Sequence, residues 1–253
     1  MAQAVLNDKT FSTQAGYAAM PPGAEAPPAK ATGAMTVGGT VSKTALLLVI
    51  TVGFAVVGWN AAESVLTTSP WLLFGGFALL IGLSFAAAKN PKLAAPLGFI
   101  YAVLMGTWMG AISRVYEAAY DGIVLQAVGA SIAVFLGCLI LYGMRVVKVT
   151  AKFQAVVITA TFGVLIFYLG AWILSLFGFD LLLGGGGLAI AISVIICIIA
   201  ALNLFLDFNF IEQGATVGAP KSMEWLGAFG LLATLVWLYL EILRLLALLS
   251  GDR

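Results

Sequence analysis

Hydrophobic residues form long blocks along this chain, and the Pro, Gly and charged positions are concentrated in the short segments between them. Seven of these blocks contain about 20 apolar residues, the length that a helix needs to cross the hydrocarbon core of a bilayer. They cover approximately residues 44–62, 70–88, 93–113, 122–144, 153–178, 187–213 and 221–249. The pattern predicts an all-α, polytopic membrane protein with seven transmembrane helices, in a domain that spans residues 41–253.

Composition supports this fold class. Of the 253 residues, 62% are hydrophobic and only 9% are charged, and the mean hydropathy is +1.09. Soluble domains carry roughly a quarter of their residues as charges, so the main partner of this chain is expected to be the lipid bilayer. The net charge of +1, without a concentrated basic patch, argues against a nucleic-acid partner.

The first 40 residues have a different character from the rest. They are rich in Ala, Gly, Pro, Ser and Thr, with the run PPGAEAPPAKATGA at their centre. Such a segment cannot bury enough apolar surface to offset the entropy of ordering it. We therefore predict that residues 1–40 form a disordered tail.

Orientation is predicted from the Lys and Arg residues. Nine of the twelve fall in the tail and in the second, fourth and sixth predicted loops: Lys9, Lys30, Lys43, Lys89, Lys92, Arg145, Lys148, Lys152 and Lys221. Because basic residues are enriched in cytoplasmic loops, we expect the amino terminus to be cytoplasmic and the carboxyl terminus to be outside.

Acidic residues predominate in the opposite loops. These residues are Glu63, Glu117, Asp121 and Asp180. They form either an outer mouth that concentrates cations by focusing the electric field, or ordinary solvated charge on exposed loops.

Catalytic and metal-binding constellations are missing from the sequence. The chain contains no His, which excludes a rhomboid-type Ser/His dyad, HExxH zinc chemistry and an imidazole pH sensor. Cys138 and Cys197 both fall inside predicted spans, without CxxC spacing, and are expected to be small apolar fillers. We predict that the protein is not an enzyme and that it binds no cofactor.

Small and charged residues within the spans are the remaining candidates for special roles. Gly106 and Gly110, at GxxxG spacing, predict close helix packing. Asp207, Glu241 and Arg244 are ionisable residues in apolar spans, where such groups are expensive and commonly functional. Glu241 and Arg244 can pair at i, i+3, either as an interface anchor whose side chains extend outward or as a latch or cation site.

Two further acidic residues lie near the predicted inner interface. Glu212 and Glu224 lie close to the ends of the sixth and seventh spans. Charged side chains at such positions can reach the aqueous side of the membrane. We expect both carboxylates to be solvated.

Three segments resemble a known family. They are GIVLQAVGASIAVFLGCLILYG in the fourth span, LNLFLDFNFIE in the sixth, and APKSMEWLGAFGLLATLVWLYLEILRLL around the seventh. They are similar to the Bax inhibitor-1/YccA family, in the form common in actinobacteria and related bacteria, and the similarity extends from Met35 onward. The resemblance implies six helices around a central seventh helix, a bacterial plasma (inner) membrane location and, in some members, a pH-dependent leak with Ca²⁺ as the permeant ion.

The resemblance also implies a gating site. Calcium-leak members have two aspartates that share a proton, and one pKa of such a pair rises because both groups cannot ionise cheaply. Asp207 matches the first aspartate, whereas Thr234 stands at the second position and can donate a hydrogen bond but cannot share the charge. Asp207 is therefore either a lone functional carboxylate or a helix-end group bonded to neighbouring backbone.

Two further positions are matched less fully. Lys89 or Lys92 loosely matches a basic residue at the inner end of the second helix. Arg244 matches an arginine that forms a latch with a glutamate of the second helix in some members. The second predicted span here has no acidic residue, so Glu241 is the available partner of Arg244.

Two function classes follow from these residues. The first is a leak pathway for Ca²⁺ or protons, gated around Asp207. The alternative is a non-conducting membrane protein that associates with membrane proteases or stress-response proteins and uses its ionisable residues to fix helix packing.

Overall fold

The computed structural model of the protein describes residues 33–67, 82–87, 89–175, 177 and 186–251. Its helices are α1 (Val37–Asn60), α2 (Ala62–Thr67), α3 (Ala94–Ala119), α4 (Ile123–Gly143), α5 (Ala151–Ser175), α6 (Gly187–Thr216) and α7 (Ser222–Gly251), with a 3-10 turn at Pro91–Leu93 before α3. Residues 82–87 are also helical. Within these described ranges the extended backbone pairing is limited to one bridge, between Ala34 and Pro220.

Six of the helices are long and apolar enough to cross a membrane, namely α1 and α3 to α7. This confirms the predicted all-α, polytopic membrane fold. Most of the second predicted span, residues 70–88, lies outside the described residues, so the count of seven stays a prediction. The other six predicted spans match the observed helices to within a few residues at most ends.

The largest difference in helix bounds lies at the start of α1. The helix begins at Val37 rather than near residue 44, because the side chain of Thr36 caps it by accepting a hydrogen bond of 3.0 Å from the Gly39 amide. The end of the predicted tail, residues 33–40, therefore belongs partly to the helical domain. Residues 1–32 of that tail lie outside the described residues.

The chain divides into two compact units. The first contains residues up to Gly110 together with Asp207–Leu232, and the second contains Ala111–Leu206 together with the residues from Ala233 onward. Helices α3, α6 and α7 each contribute one part to each unit.

In the first unit, α1 and α3 pack backbone against backbone. A methyl group added at Gly58 would overlap the carbonyl oxygen of Thr107, and one added at Gly110 would overlap the carbonyl oxygen of Ala55. A methyl group added at Gly106 would likewise overlap the carbonyl oxygen of Thr51. The packing role predicted for Gly106 and Gly110 is confirmed, since only residues without a side chain permit this approach.

Helix α7 is the most buried of the six spanning helices. Of its most apolar stretch, 44% is buried, against 17% for α4 and for α5. Leu226 and Leu232 are enclosed in the first unit, and Leu238 and Leu243 in the second. This burial is what we expect of a helix that has neighbours on most of its faces.

Candidate functional site

Among the residues that the structure describes, Glu241 is the most enclosed acidic group of the second unit, with an exposure of 3%. Its carboxylate accepts hydrogen bonds from the hydroxyl group of Tyr168 on α5 and, at 3.0 Å, from Ser193 Oγ on α6. Arg244 Nη1 lies 3.5 Å from Glu241 Oε1 and donates a bond of 3.0 Å to the hydroxyl oxygen of Tyr168. We call these four residues the Glu241 cluster.

The Glu241 cluster satisfies the charge that it buries. An ionised carboxylate removed from water is costly unless it is paired and hydrogen-bonded, and Glu241 has two hydroxyl donors and a guanidinium group. The pair with Arg244 predicted from the i, i+3 spacing is confirmed. The pair is not the interface anchor with outward-extending side chains, however, because the Glu241 carboxylate is bonded to residues of α5 and α6.

Sequence reasoning missed Tyr168 and Ser193. They are neutral residues that lie 73 and 48 positions from Glu241 along the chain. Hydroxyl-bearing residues in apolar spans are common helix-contact residues, so they gave no distinctive signal. Only the packing of α5 and α6 against α7 within the second unit brings them together.

Asp207 is the acidic group in the interior of α6, in the first unit. It lies nine residues before the end of the helix at Thr216, a rise of about 14 Å at 1.5 Å per residue. This places it in the interior of the helix, away from the helix end. The residue is half-buried, and its Oδ2 atom is fully buried.

The carboxyl group of Asp207 faces α7 at a glycine. A Cβ atom added at Gly230 would lie 3.5 Å from Asp207 Oδ1. The helix α7 therefore presents bare backbone to the acidic side chain at this point. The intramembrane carboxyl group of Asp207, which faces Gly230, is the strongest candidate for a functional group in the first unit.

Three other predicted site residues lie elsewhere on the described part of the chain. Lys89 and Lys92 are both exposed, and Lys92 lies in the 3-10 turn before α3. Thr234 is half-buried on α7 and belongs to the second unit. Its predicted hydrogen bond to Asp207 stays a prediction.

The acidic loop residues have different environments. Glu63 is exposed on α2, in the first unit, and Asp121 is exposed in the second unit. Glu117 instead caps α4, because its carboxylate accepts bonds of 2.8 Å from the Gly122 amide and 2.9 Å from the Val124 amide. Asp180 lies outside the described residues. A structural role thus accounts for Glu117, and the acidic mouth stays a prediction for the others.

Glu224 is a buried acidic group that sequence reasoning placed incorrectly. The prediction that it is solvated is wrong, since Glu224 is only 1% exposed. Its carboxylate forms an ion pair with Lys43 and accepts bonds of 2.9 and 3.0 Å from the amide and hydroxyl groups of Thr36. Gly39 makes room for it, because a side chain there would overlap the carboxylate.

A signal for this pair existed in the sequence. Lys43 lies near the start of the first span and Glu224 near the start of the last, which are predicted to begin on the same side of the membrane. Opposite charges at matching depths favour pairing. The choice of partner could not be made without knowing that α1 and α7 are neighbours.

The segment before α1 is bound to the loop between α6 and α7. Met35 donates its amide to the carbonyl oxygen of Ala219 at 2.6 Å, and Lys221 donates its amide to the carbonyl oxygen of Gly33 at 2.9 Å. The Met35 side chain is buried against Gly214. The point at which the tail joins the domain is therefore fixed.

Among the residues that the structure describes, no three His, Cys, Asp or Glu side chains converge closely enough to hold a metal ion. Cys138 and Cys197 are free thiols. The buried carboxylates of the described part are instead surrounded by hydroxyl, amide and cationic groups.

Similarity to a known protein family extends over nearly the entire chain. A family model described as Bax inhibitor 1 like matches residues 3–251. The match includes all six spanning helices and the residues around Asp207, Glu224 and Glu241. No curated protein matches the chain.

Proposed function

Because this chain belongs to the Bax inhibitor 1-like family, we propose that it is a pH-sensitive leak pathway for Ca²⁺ or protons in a bacterial plasma membrane. The observation that carries this proposal is the position of Asp207. Its carboxyl group lies in the interior of a membrane-spanning helix, with one oxygen fully buried. Ionisable groups at such depth are expensive and mark ion or proton pathways.

The contact between Asp207 and Gly230 supports a gating role. A carboxylate favours water and cations at this contact, whereas the protonated acid tolerates close apolar packing. The free energy of holding this part of α6 against α7 therefore depends on the charge of Asp207. A permeation path along this contact would open or close as the proton is bound or released.

The proposed topology places the amino terminus in the cytoplasm and the carboxyl terminus outside. It rests on the nine Lys and Arg residues assigned to the inner side. Ca²⁺ or the proton is the permeant ion, and the proposal requires neither a cofactor nor a catalytic reaction.

Asp207→Asn is the variant that tests the leak. Purified full-length protein is reconstituted in liposomes that contain a Ca²⁺ indicator or a pH indicator, and flux is recorded across a pH series. We expect the flux of the unsubstituted protein to vary with pH, and the flux of the variant to lose that dependence because Asn cannot change its charge.

Glu212→Gln provides the matched control. Glu212 is a half-buried carboxylate on the same helix, five residues closer to its end, and its substitution should preserve the pH dependence. Equal flux and equal pH dependence in Asp207→Asn and the unsubstituted protein, both well folded by size-exclusion chromatography, would reject Asp207 as the gate.

The second candidate function is that of a non-conducting partner of a membrane protease or stress-response protein. One observation favours it: Glu224 and Glu241 are each enclosed and bonded within their own unit, as expected of groups that fix helix packing. This candidate predicts no flux above that of empty liposomes at any pH. In this candidate function the tail binds the partner, so deletion of residues 1–34 should abolish co-purification of a membrane protein while the helical domain stays folded.

A further inference from the structure

A short segment before α1 contacts two other helices of the first unit. The Met35 side chain is 2% exposed and packs on α6 at Gly214, where an added side chain would overlap its sulfur atom. Thr36 donates its amide and its hydroxyl group to the carboxylate of Glu224 on α7. We call residues 33–36 the strap. It joins the last turn of α6 to the first turn of α7.

The strap is also paired with the connection between α6 and α7. Ala34 and Pro220 form an antiparallel bridge, and one backbone hydrogen bond lies on each side of the pair. The connection consists of residues 217–221. A connection of this length keeps the helix ends close together, but the angle between two helices is set by their packing. Because the strap contacts both helices beside the connection, it restricts that angle.

Two glycines of α7 continue this contact toward the middle of the helix pair. A Cβ atom added at Gly227 would lie 3.2 Å from Ile211 of α6 and 3.2 Å from Thr40 of α1. One added at Gly230 would lie 3.5 Å from Asp207 Oδ1. At both levels α7 therefore lies directly against α6, with no side chain of its own at the contact.

These contacts form one continuous seam between the strap and Asp207, which we call the α6–α7 seam. Its residues lie about one turn apart on each helix: Gly214, Ile211 and Asp207 on α6, and Glu224, Gly227 and Gly230 on α7. Along α6 the seam is about 10 Å long, at 1.5 Å per residue. Close-packed contacts have little room to deform and transmit strain. A displacement of the strap is therefore expected to reach the carboxyl group of Asp207.

Release of the strap has a gain that offsets part of its cost. The released state loses the hydrogen bonds from Thr36 and the burial of Met35. It also returns water to the carboxylate of Glu224, which is 1% exposed beneath this segment, and Lys43 remains as the counter-ion. Burial of a charge carries a large desolvation penalty, which release recovers. The strap is therefore suited to a reversible contact.

We propose that the strap is a releasable lock on the α6–α7 seam and holds the contact between Asp207 and Gly230 closed. For ion flux this inference rests on the proposed function, because it names the element that controls the same gate. The strap continues directly into residues 1–32. A partner that binds those residues would therefore act on the seam through the strap.

A disulfide across the bridge tests the lock. Ala34 and Pro220 form a non-hydrogen-bonded pair. The Cα atoms of such a pair lie about 4.5 Å apart, within the range of about 4.4–6.8 Å that a disulfide needs. Full-length Ala34→Cys/Pro220→Cys is compared in its oxidised and reduced forms, so that the same chain is its own control. Cys138 and Cys197 are free thiols, so reduction breaks only the engineered disulfide.

Two measurements are made on both forms. Hydrogen exchange, followed by mass spectrometry, reports the opening of peptides that cover residues 205–216 and 222–232. Flux from liposomes reports the state of the gate. Couplings between sites commonly amount to roughly 5- to 150-fold. We expect oxidation to slow exchange about tenfold and to lower flux about fivefold, and reduction to restore both.

Met35→Ala changes the strap in the opposite direction. It removes the buried side chain that packs on Gly214 and preserves the charged residues of the first unit. We expect exchange in the two peptides to accelerate about fivefold, and flux to rise at the pH where the unsubstituted protein conducts least. Met144→Ala is the matched control, because Met144 is 66% exposed at the end of α4 and the same change there should affect neither measurement.

The proposal is overturned if the oxidised and reduced forms exchange equally, or if Met35→Ala exchanges no faster than Met144→Ala. It is also overturned if the two forms differ in exchange but conduct equally, because the strap would then act on packing and not on the gate. Flux that is absent from every form would instead reject the proposed leak, and the exchange of the two forms would still decide whether the strap locks the seam.

Discussion

Lys43 on α1 and Glu224 on α7 form a buried ion pair although 181 residues separate them in the sequence. The side chain of Lys43 retains an exposure of 16% and that of Glu224 only 1%. Thr36 adds two hydrogen bonds to the same carboxylate. One acidic group thus joins the first spanning helix, its capping residue and the last spanning helix within the first unit.

Removal of Lys43 should destabilise the protein more than removal of the whole pair. Lys43→Met leaves the Glu224 carboxylate buried without its cation, which typically costs about 3–5 kcal/mol. The double variant Lys43→Met/Glu224→Met removes both charges and should be clearly more stable than the single one. Chemical denaturation in detergent measures the free energy of unfolding of both variants. Equal stability of Lys43→Met and the unsubstituted protein would contradict a stabilising role of the ion pair.

Gly58→Ala should disrupt the contact between α1 and α3. The added methyl group overlaps the carbonyl oxygen of Thr107, and overpacking of this kind costs about 1–3 kcal/mol. Gly53→Ala is the control on the same helix, because no atom lies within 4 Å of the added group and helix propensity improves by up to about 1 kcal/mol. Thermal unfolding should rank Gly53→Ala above the unsubstituted protein and Gly58→Ala below it, and the reverse order would refute the packing.

Tyr168→Phe should weaken the second unit more than Tyr239→Phe. The first change removes a hydroxyl donor from the buried carboxylate of Glu241, and bonds to charged groups contribute about 1.5–3 kcal/mol. The second removes a neutral bond of 2.7 Å between Tyr239 and Ser113, which contributes about 0.5–1.5 kcal/mol. Denaturation of Tyr168→Phe, Glu241→Gln and the double variant tests the coupling between Tyr168 and Glu241, and additive effects would argue against a direct bond.

Glu117→Ala should destabilise the start of α4. Its carboxylate accepts bonds from the amides of Gly122 and Val124, and loss of a capping group costs about 1 kcal/mol. Asp121→Ala removes a neighbouring, exposed carboxylate and should have a much smaller effect. Hydrogen exchange at the first turn of α4 should accelerate in Glu117→Ala only, so equal protection in the two variants would count against the cap.

Most of the fold could be predicted from the hydrophobic blocks, because length and apolarity alone decide whether a helix can cross a bilayer. The start of α1 could not, since residues such as Gly38 and Gly39 give no hydrophobic signal. The helix extends to Val37 because Thr36 caps it and because Glu224 occupies the space beside Gly39. The first cause depends on a single side-chain hydrogen bond, and the second is a tertiary contact.

The candidate sites were predictable only in part. The pair of Glu241 and Arg244 follows from their spacing on one helix, which the sequence contains. Tyr168 and Ser193 depend on which helices pack together, and the sequence contains no such information for neutral residues. The position of Glu224 near a span end predicts a solvated carboxylate. This prediction is wrong because the segment from Gly33 to Lys43 covers the carboxylate in the first unit.

The ion pair between Lys43 and Glu224 can form only late in the synthesis of the first unit, because its two residues lie far apart in the sequence. At about 5–20 residues per second, roughly 9 to 36 s pass on the ribosome between the synthesis of Lys43 and that of Glu224. During this interval the ammonium group of Lys43 lacks its native counter-ion. The first unit can therefore complete its structure only after Asp207–Leu232 have been synthesised.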